Sequence, residues 1–495
     1  MNRRPRIDIG TASSADIWNA SPFSYPLRLP HWTGSWVASA KSRPIPIAVL
    51  LLLLGCLPMF AYQNLGNNVL LTNGSAPDTQ RAIDAATDGT IIQLPPGKHN
   101  WGRQVTNSGK TAIHLIAQSI GGTIIKRTYK GGDMLLLNAS PNGNVEVSGI
   151  HFEDPYPGSE VKSSFCLDVN QLGGLPVLIH DCSFVSSQKN GFNYLVRFAG
   201  NGGVVWNCSF AAKNDMLGGI TFVNTSSTSA PWNQPDSMGA GPDSTGLNPG
   251  DPTGALDTYV ENCLFQDMDV FCTNFDDNSR AVVRDCTLNN ASLGSHGQDT
   301  SIWGSRHWEI YNNTFNYSTS GKSYGGKKYP LDMNTWFTVR GGTGVITNNA
   351  MDDIPYNKLG IYLTVFSITR KGSIPCQTAY PAAHQTGQGW SAVSTSQYGN
   401  PTVSKDGTGA VPDPIFIWSN TGTETQDPGY VGIYPFLPDQ CGNGQTLGTY
   451  LQEGRDYFVN EARPGWTPYT YPHPLRANAL GATGSGPLEL YPPYP

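Results

Sequence analysis

Three short segments of this 495-residue chain concentrate residues that can move protons and hold charge. The first reads Phe271-Cys272-Thr273-Asn274-Phe275-Asp276-Asp277-Asn278, the second Gly294-Ser295-His296-Gly297-Gln298-Asp299, and the third Asn334-Thr335-Trp336-Phe337-Thr338-Val339-Arg340-Gly341-Gly342. A histidine, which changes charge near neutral pH, is suited to act as a general base. An arginine offers a planar fork that grips a carboxylate through two parallel bonds. Neighbouring carboxylates can hold a calcium ion, which takes several oxygen ligands. Together these types suit removal of an acidic proton beside a carboxylate, with a cation to stabilise the developing charge. His296, Asp299, Arg340 and Arg306 are the candidates for catalysis, and Asp276 and Asp277 for metal binding. Trp303, Trp336 and Asn274 are the candidates for ligand contact, the indoles by stacking. The run Asp276-Asp277-Asn278 is also ordinary turn chemistry.

His296 follows Asp276 by 20 residues and precedes Arg340 by 44, so the fold must bring them together. A repeated phrase can do this. It occupies residues 145–152, 177–184, 203–210, 258–265, 281–288, 308–315 and 344–351. The copies recur every 23 to 36 residues with one double-length gap, the spacing of a solenoid. Aligned on the last residue, the fifth position back reads Val147, Ile179, Val205, Val260, Val283, Ile310, Ile346. All are β-branched, which suits strand interiors. The third position back reads Gly149, Asp181, Asn207, Asn262, Asp285, Asn312, Asn348, residue types that tolerate a left-handed corner. Strand, one-residue corner, strand is the pattern of an all-β chain. It predicts a right-handed parallel β-helix with like residues stacked about 4.8 Å apart. The three charged segments then fall on the same strand of successive coils, and Asp276/Asp277, His296/Asp299 and Arg340 form one patch. Arg306 and Trp303 flank it.

On these residues the chain resembles the right-handed parallel β-helix superfamily that includes pectate lyases and polygalacturonases. The resemblance runs from about residue 69 to residue 351 and is specific for fold. The stretches His296-Gly297-Gln298-Asp299, Arg306 before Glu309-Ile310-Tyr311-Asn312-Asn313-Thr314-Phe315, and Arg340-Gly341-Gly342-Thr343-Gly344-Val345-Ile346 also resemble parts of exported bacterial β-helix proteins. The superfamily implies a polysaccharide or oligosaccharide partner. It favours a lyase that cleaves a uronic-acid polymer by β-elimination, with His296 as base and Arg340 or Arg306 as carboxylate clamp. A glycoside hydrolase and a non-catalytic glycan-binding solenoid are the alternatives. The chain departs from both enzyme patterns. The clustered Asp set of calcium-dependent pectate lyases is not matched. Asp276-Asp277 plus Asp299 imitates the three Asp residues of polygalacturonases without their surrounding motif.

A formal charge of −6 with few charged residues argues against nucleic acid as a partner. The apolar run 47–54 after Lys41 and Arg43 fits the core of an export signal and is short for a membrane span. Leu53-Leu54-Gly55-Cys56 resembles a lipobox, and cleavage after Ala61 is the plainer alternative. The expected organisation is an N-terminal extension (1–44), a signal (45–61), the β-helix (69–360) and a C-terminal extension (361–495). The protein is expected to be secreted, periplasmic or on the outer cell surface, with a membrane only through the signal or a lipid anchor, and monomeric.

A short capping helix is predicted over 77–87 with Ser75 as N-cap, followed by a strand at 90–94. Cys182, Cys208, Cys263 and Cys286 fall in one inward column and read as buried free thiols. Cys376 and Cys441 are the expected disulfide. Arg284 shares an outward column with Glu261, which reads as a surface salt bridge of little worth. Residues 415–420 read as one further coil. The Pro- and aromatic-rich residues 463–472 cannot pair as a central strand and are expected to lie against the solenoid or close its end.

Overall fold

Each rung of the solenoid turns on the predicted corner. Asp181, Asn207, Asn262, Asp285, Asn312 and Asn348 have φ between 49° and 57°, and Gly149 has φ 75°. A β-branched or bulky residue would be strained there. The computed structural model describes residues 62–155, 165–171, 174–186, 193–200, 202–212, 217–223, 257–277, 279–296, 305–317, 323–324, 327–328, 335–352, 360–365, 380–382, 385–390, 410–422, 431–433 and 446–490. The signal and N-terminal extension, Cys376, Cys441, Asp299 and Trp303 lie outside the described residues.

The strand before each corner builds the first face. Thr90–Leu94, Ile113–Ala117, Glu146–Ser148, Leu178–His180, Val204–Trp206, Thr258–Glu261, Arg280–Arg284, His307–Tyr311, Thr343–Thr347, Ile415–Trp418 and Tyr457–Val459 pair in parallel in that order. The strand after the corner builds the second face, as in Ile150–Asp154, Ser183–Ser186 and Ser209–Ala212. A third face follows with Leu167–Asn170, Asn193–Ala199, Leu217–Val223, Phe337–Val339 and Ile361–Leu363. The long strands Leu264–Phe275 and Thr287–Ser295 run through both the second and third faces. They bend at Asp267 (φ 57°) and Asn290 (φ 48°). This is the parallel β-helix that the repeat predicts. The predicted strand at 90–94 is present, and the helix spans Ala76–Ala85. Ala82 and Ile83 join the apolar interior.

The interior is filled by the predicted columns. Phe152, Phe184, Phe210 and Phe265 stack in register, with neighbouring centroids 5.1, 5.1 and 4.8 Å apart. Beside them Cys182, Cys208, Cys263 and Cys286 are buried free thiols, as predicted. The same column continues in amides. Asn313 Nδ2 donates to Asn349 Oδ1 at 3.0 Å, and Asn349 Nδ2 donates to Asn420 Oδ1 at 2.8 Å. Buried amides satisfied by copies of themselves cost little.

The outer side of the first face corrects the reading of Arg284 and Glu261. The pair is fully buried, with Arg284 Nε 2.9 Å from Glu261 Oε1. Its cover is the C-terminal tail, which runs back along the solenoid as a strap. Arg463 meets Asp413 at 3.1 Å. The Trp466 ring then packs on Trp418 and Tyr311. Arg284 donates to the carbonyls of Tyr469 and Thr470. Arg476 reaches Glu261 at 3.3 Å and lies over the Trp206 ring. The strap ends over the early rungs. Leu480 N and Gly481 N donate to Glu146 at 2.9 and 2.7 Å, and Gly484 N donates to Asp181 at 2.8 Å. Residue spacing alone reveals an outward column but not what covers it.

Candidate active site on the third face

The third face sets the register of the charged segments. Phe222 pairs with Phe275, Phe275 with Ser295, and Gly294 with Thr338. One residue further along each strand stand Asp276, His296 and Arg340. The ladder reaches them: Asp276 N donates to Phe222 O at 3.0 Å, and His296 N to Phe275 O at 2.7 Å. Arg340 N donates instead to Ser295 Oγ at 3.1 Å, and that hydroxyl donates to Gly341 O at 3.0 Å. Side chains alternate along a strand, so these three follow the inward Phe275, Ser295 and Val339 and point outward. The fold therefore brings Asp276, His296 and Arg340 together on consecutive rungs, 20 and 44 residues apart in sequence.

His296 Nδ1 lies 3.2 Å from Asp276 Oδ2, with both side chains less than a tenth exposed. The carboxylate stands beside that ring nitrogen as an ion-pair contact. The Phe271 ring stands edge-on to His296 at 5.6 Å, and the Arg340 guanidinium lies 5.1 Å from its centroid. Asn274 is buried one outward position before Asp276, and its Nδ2 donates to Thr221 Oγ1 at 3.2 Å. Its Oδ1 has no partner among the described residues.

Tyr194 belongs to the same neighbourhood, and its position in the sequence gave no sign of it. Burial raises its phenol above the usual range, Asp276 raises it further, and Arg340 opposes both. The phenol therefore keeps its proton near neutral pH.

The other candidates are placed differently. Arg306 is buried on Asp413, at 3.4 Å, and Asp413 also holds Arg463. Trp336 is fully buried, donates its indole N–H to Asp352 O at 2.8 Å and packs on Phe315 inside the coil. No face of that indole is open to a sugar. Asp277 has φ 41°, and its N–H donates to Asp276 Oδ1 at 2.8 Å, closing a local turn. Among the described residues no group of three or more His, Cys, Asp or Glu side chains is placed to hold a metal ion.

A second polar group occupies the outer side of earlier third-face rungs. Arg197 grips Asp168 through Nε at 2.8 Å and Nη2 at 2.5 Å. Asp133, in electrostatic contact with Asp168, is raised to about 6, first by burial and then by that neighbouring charge.

A parallel β-helix with a carboxylate, a histidine and an arginine on consecutive rungs is what this fold and site define. No family model matches the chain, and no curated protein does. Among solved structures it is similar to a family 6 polysaccharide lyase from Pseudopedobacter saltans, at 14% identity and TM-score 0.40, covering 86% of this chain and 92% of that one. A pectin methylesterase from Erwinia chrysanthemi is similar at 12% identity and TM-score 0.34, covering 82% and 99%. Geobacillus virus E2 ORF18 is similar at 13% identity and TM-score 0.32, and the match spans 67% of this chain and 60% of that protein's length. The fold itself rests on the strand register described above.

Proposed function

We propose that the protein is an exported, carbohydrate-active β-helix enzyme that cleaves a uronic-acid-containing polymer by β-elimination. The observation that carries this reading is the alignment of Asp276, His296 and Arg340 at one register of three consecutive rungs. Arg340 would take the uronate carboxylate. His296, oriented by Asp276, would remove the proton on the adjacent carbon. The electron pair left there forms the carbon–carbon double bond as the glycosidic C–O bond at the β position breaks. The leaving oxygen takes up a proton from water, and His296 returns the abstracted proton to solvent. The unpartnered buried oxygen of Asn274 suits a sugar hydroxyl.

Incubation with pectate, alginate and glycosaminoglycans should release ultraviolet-absorbing unsaturated ends from one of them, and His296→Ala should abolish the signal. Absence of absorbance with every polymer refutes β-elimination. Glycoside hydrolysis has its own supporting observation, since Asp133, raised to about 6 beside Asp168, is the kind of paired carboxyl that can act as a general acid. New reducing ends without absorbance, lost in Asp133→Asn, would move the assignment there.

A further inference from the structure

The strand Leu264–Phe275 carries an insertion where it passes the active row. Met268 pairs with Ala291 and Thr273 with Leu293, so residues 269–272 stand opposite the single residue Ser292. Such bulges re-aim side chains, and they occur preferentially next to active sites. Within this one Phe271 has φ 54°, a conformation that a bulky side chain adopts only when its surroundings enforce it.

Two glycines make room for it. A Cβ on Gly294 would lie 2.1 Å from Phe271 Cδ1, so the ring occupies the space a side chain at 294 would fill. A Cβ on Gly218 would lie 2.5 Å from the Phe271 carbonyl oxygen and 2.3 Å from the Tyr194 ring. Gly294 stands two residues before His296 on the same outer face. The ring seated above it therefore touches both later members of the row, edge-on to His296 at 5.6 Å and beneath the Arg340 guanidinium at 5.1 Å.

We propose that Phe271 is a positioning residue: its ring, seated over Gly294 by the bulge, sets the orientation of the Arg340 fork and shields one side of the His296 imidazole from water. A flat apolar surface under a guanidinium attracts it through the ring quadrupole and leaves its N–H edges free to point elsewhere. The same ring excludes water from the imidazole, which disfavours the charged form against the pull of Asp276. Among the described residues, the charged groups that face His296 are Asp276 on the preceding rung and Arg340, which shares the Phe271 ring, on the following one. The link to a uronate substrate rests on the function proposed above; the geometric part does not.

The experiment uses Phe271→Ala, Gly294→Ala, the double variant and Phe271→Tyr, with the His296 ring followed by NMR titration. Both single variants should raise the His296 midpoint, because removing or displacing the ring lets water reach the imidazole. The double variant should move it no further than either alone, since the two changes remove one contact. Phe271→Tyr, which keeps the ring, should titrate like the parent. With an active uronate polymer, both single variants should raise KM about two- to fivefold, the range expected for one exposed cation–ring contact. An unchanged or lowered midpoint in Phe271→Ala and Gly294→Ala overturns the proposal, as does additivity in the double variant. Raised midpoints in a protein inactive on every polymer would sustain the positioning role while removing the lyase assignment. Activity with unmoved midpoints would do the reverse.

Discussion

Raising the pH from 6.5 towards 9 should loosen the C-terminal strap while leaving the coil beneath it paired. The lever is His180, whose side chain is wholly buried. Its Nδ1 is 2.7 Å from Asp181 Oδ2 and its Nε2 is 2.9 Å from Glu146 Oε1. Burial, the largest influence, disfavours the imidazolium, but the two carboxylates outweigh it and raise the ring from 6.5 to about 9. The folded value lies above the unfolded one, so the stabilisation is complete below pH 6.5 and is lost as pH rises through about 9. The difference corresponds to about 3 kcal/mol. Glu146 and Asp181 also accept the backbone N–H groups of Leu480, Gly481 and Gly484, so neutralising His180 leaves these carboxylates short of a partner where the strap is tied. Hydrogen exchange reads this directly. Protection factors for those three amides, corrected for intrinsic exchange, should fall on the order of a hundredfold across the window. Amides of Val205 and Val260 inside the coil should hold. His180→Gln should flatten the dependence. Constant strap protection across the window, or an equal loss in the coil, would refute the reasoning.

The acid side should show a second loss. Burial lowers His473 from 6.5 to about 3, helped by Arg284 and Arg476, so strap protection should also fall as pH drops below 6.5 and the released strap takes up the proton. Glu261→Gln, which strands the buried Arg284, should cost about 3–5 kcal/mol in denaturant unfolding, whereas joint replacement of Glu261 and Arg284 by apolar residues should cost far less. Asp133→Asn should stabilise the protein by about 3 kcal/mol at pH 7, because a carboxyl raised to about 6 loses folded-state stability as pH climbs from 3.8 through that value; unchanged unfolding at pH 7 would count against it. The thiols of Cys182, Cys208, Cys263 and Cys286 should resist alkylation in the native protein and react only on unfolding, as mass spectrometry would show.

The coil was legible in the sequence because its demands repeat. Asn207, Asn262 and Asp285 are needed by a left-handed corner, Val205 and Val260 by an inward strand position, and each rung restates the requirement. The alignment of Asp276, His296 and Arg340 followed from that register. What broke the repeat stayed hidden. Residues 269–272 stand opposite a single residue of the next rung, and nothing in the spacing says that Phe271 folds over Gly294. Tyr194 lies about 80 residues before Asp276 in sequence, and only the stacking of rungs brings it near Asp276 and Arg340. Arg306 and Trp336 carried the right chemistry for a site, but their partners Asp413 and Asp352 lie in a distant segment and within the coil. Glu261 and Arg284 were read as solvated because the cover arrives about 200 residues later in the chain, as the bond from His473 N to Glu261 Oε2 shows.

In a solenoid each rung normally touches only its neighbours, so rungs can form in order as the chain is made. Here Gly481 binds Glu146 across 335 positions of sequence. The residues that tie down these rungs are therefore made more than 300 positions after them. Until then the buried acids and bases of the first face stand in water, and the half-made molecule is held by local contacts alone. Synthesis of the strap then links rungs that otherwise touch only their neighbours.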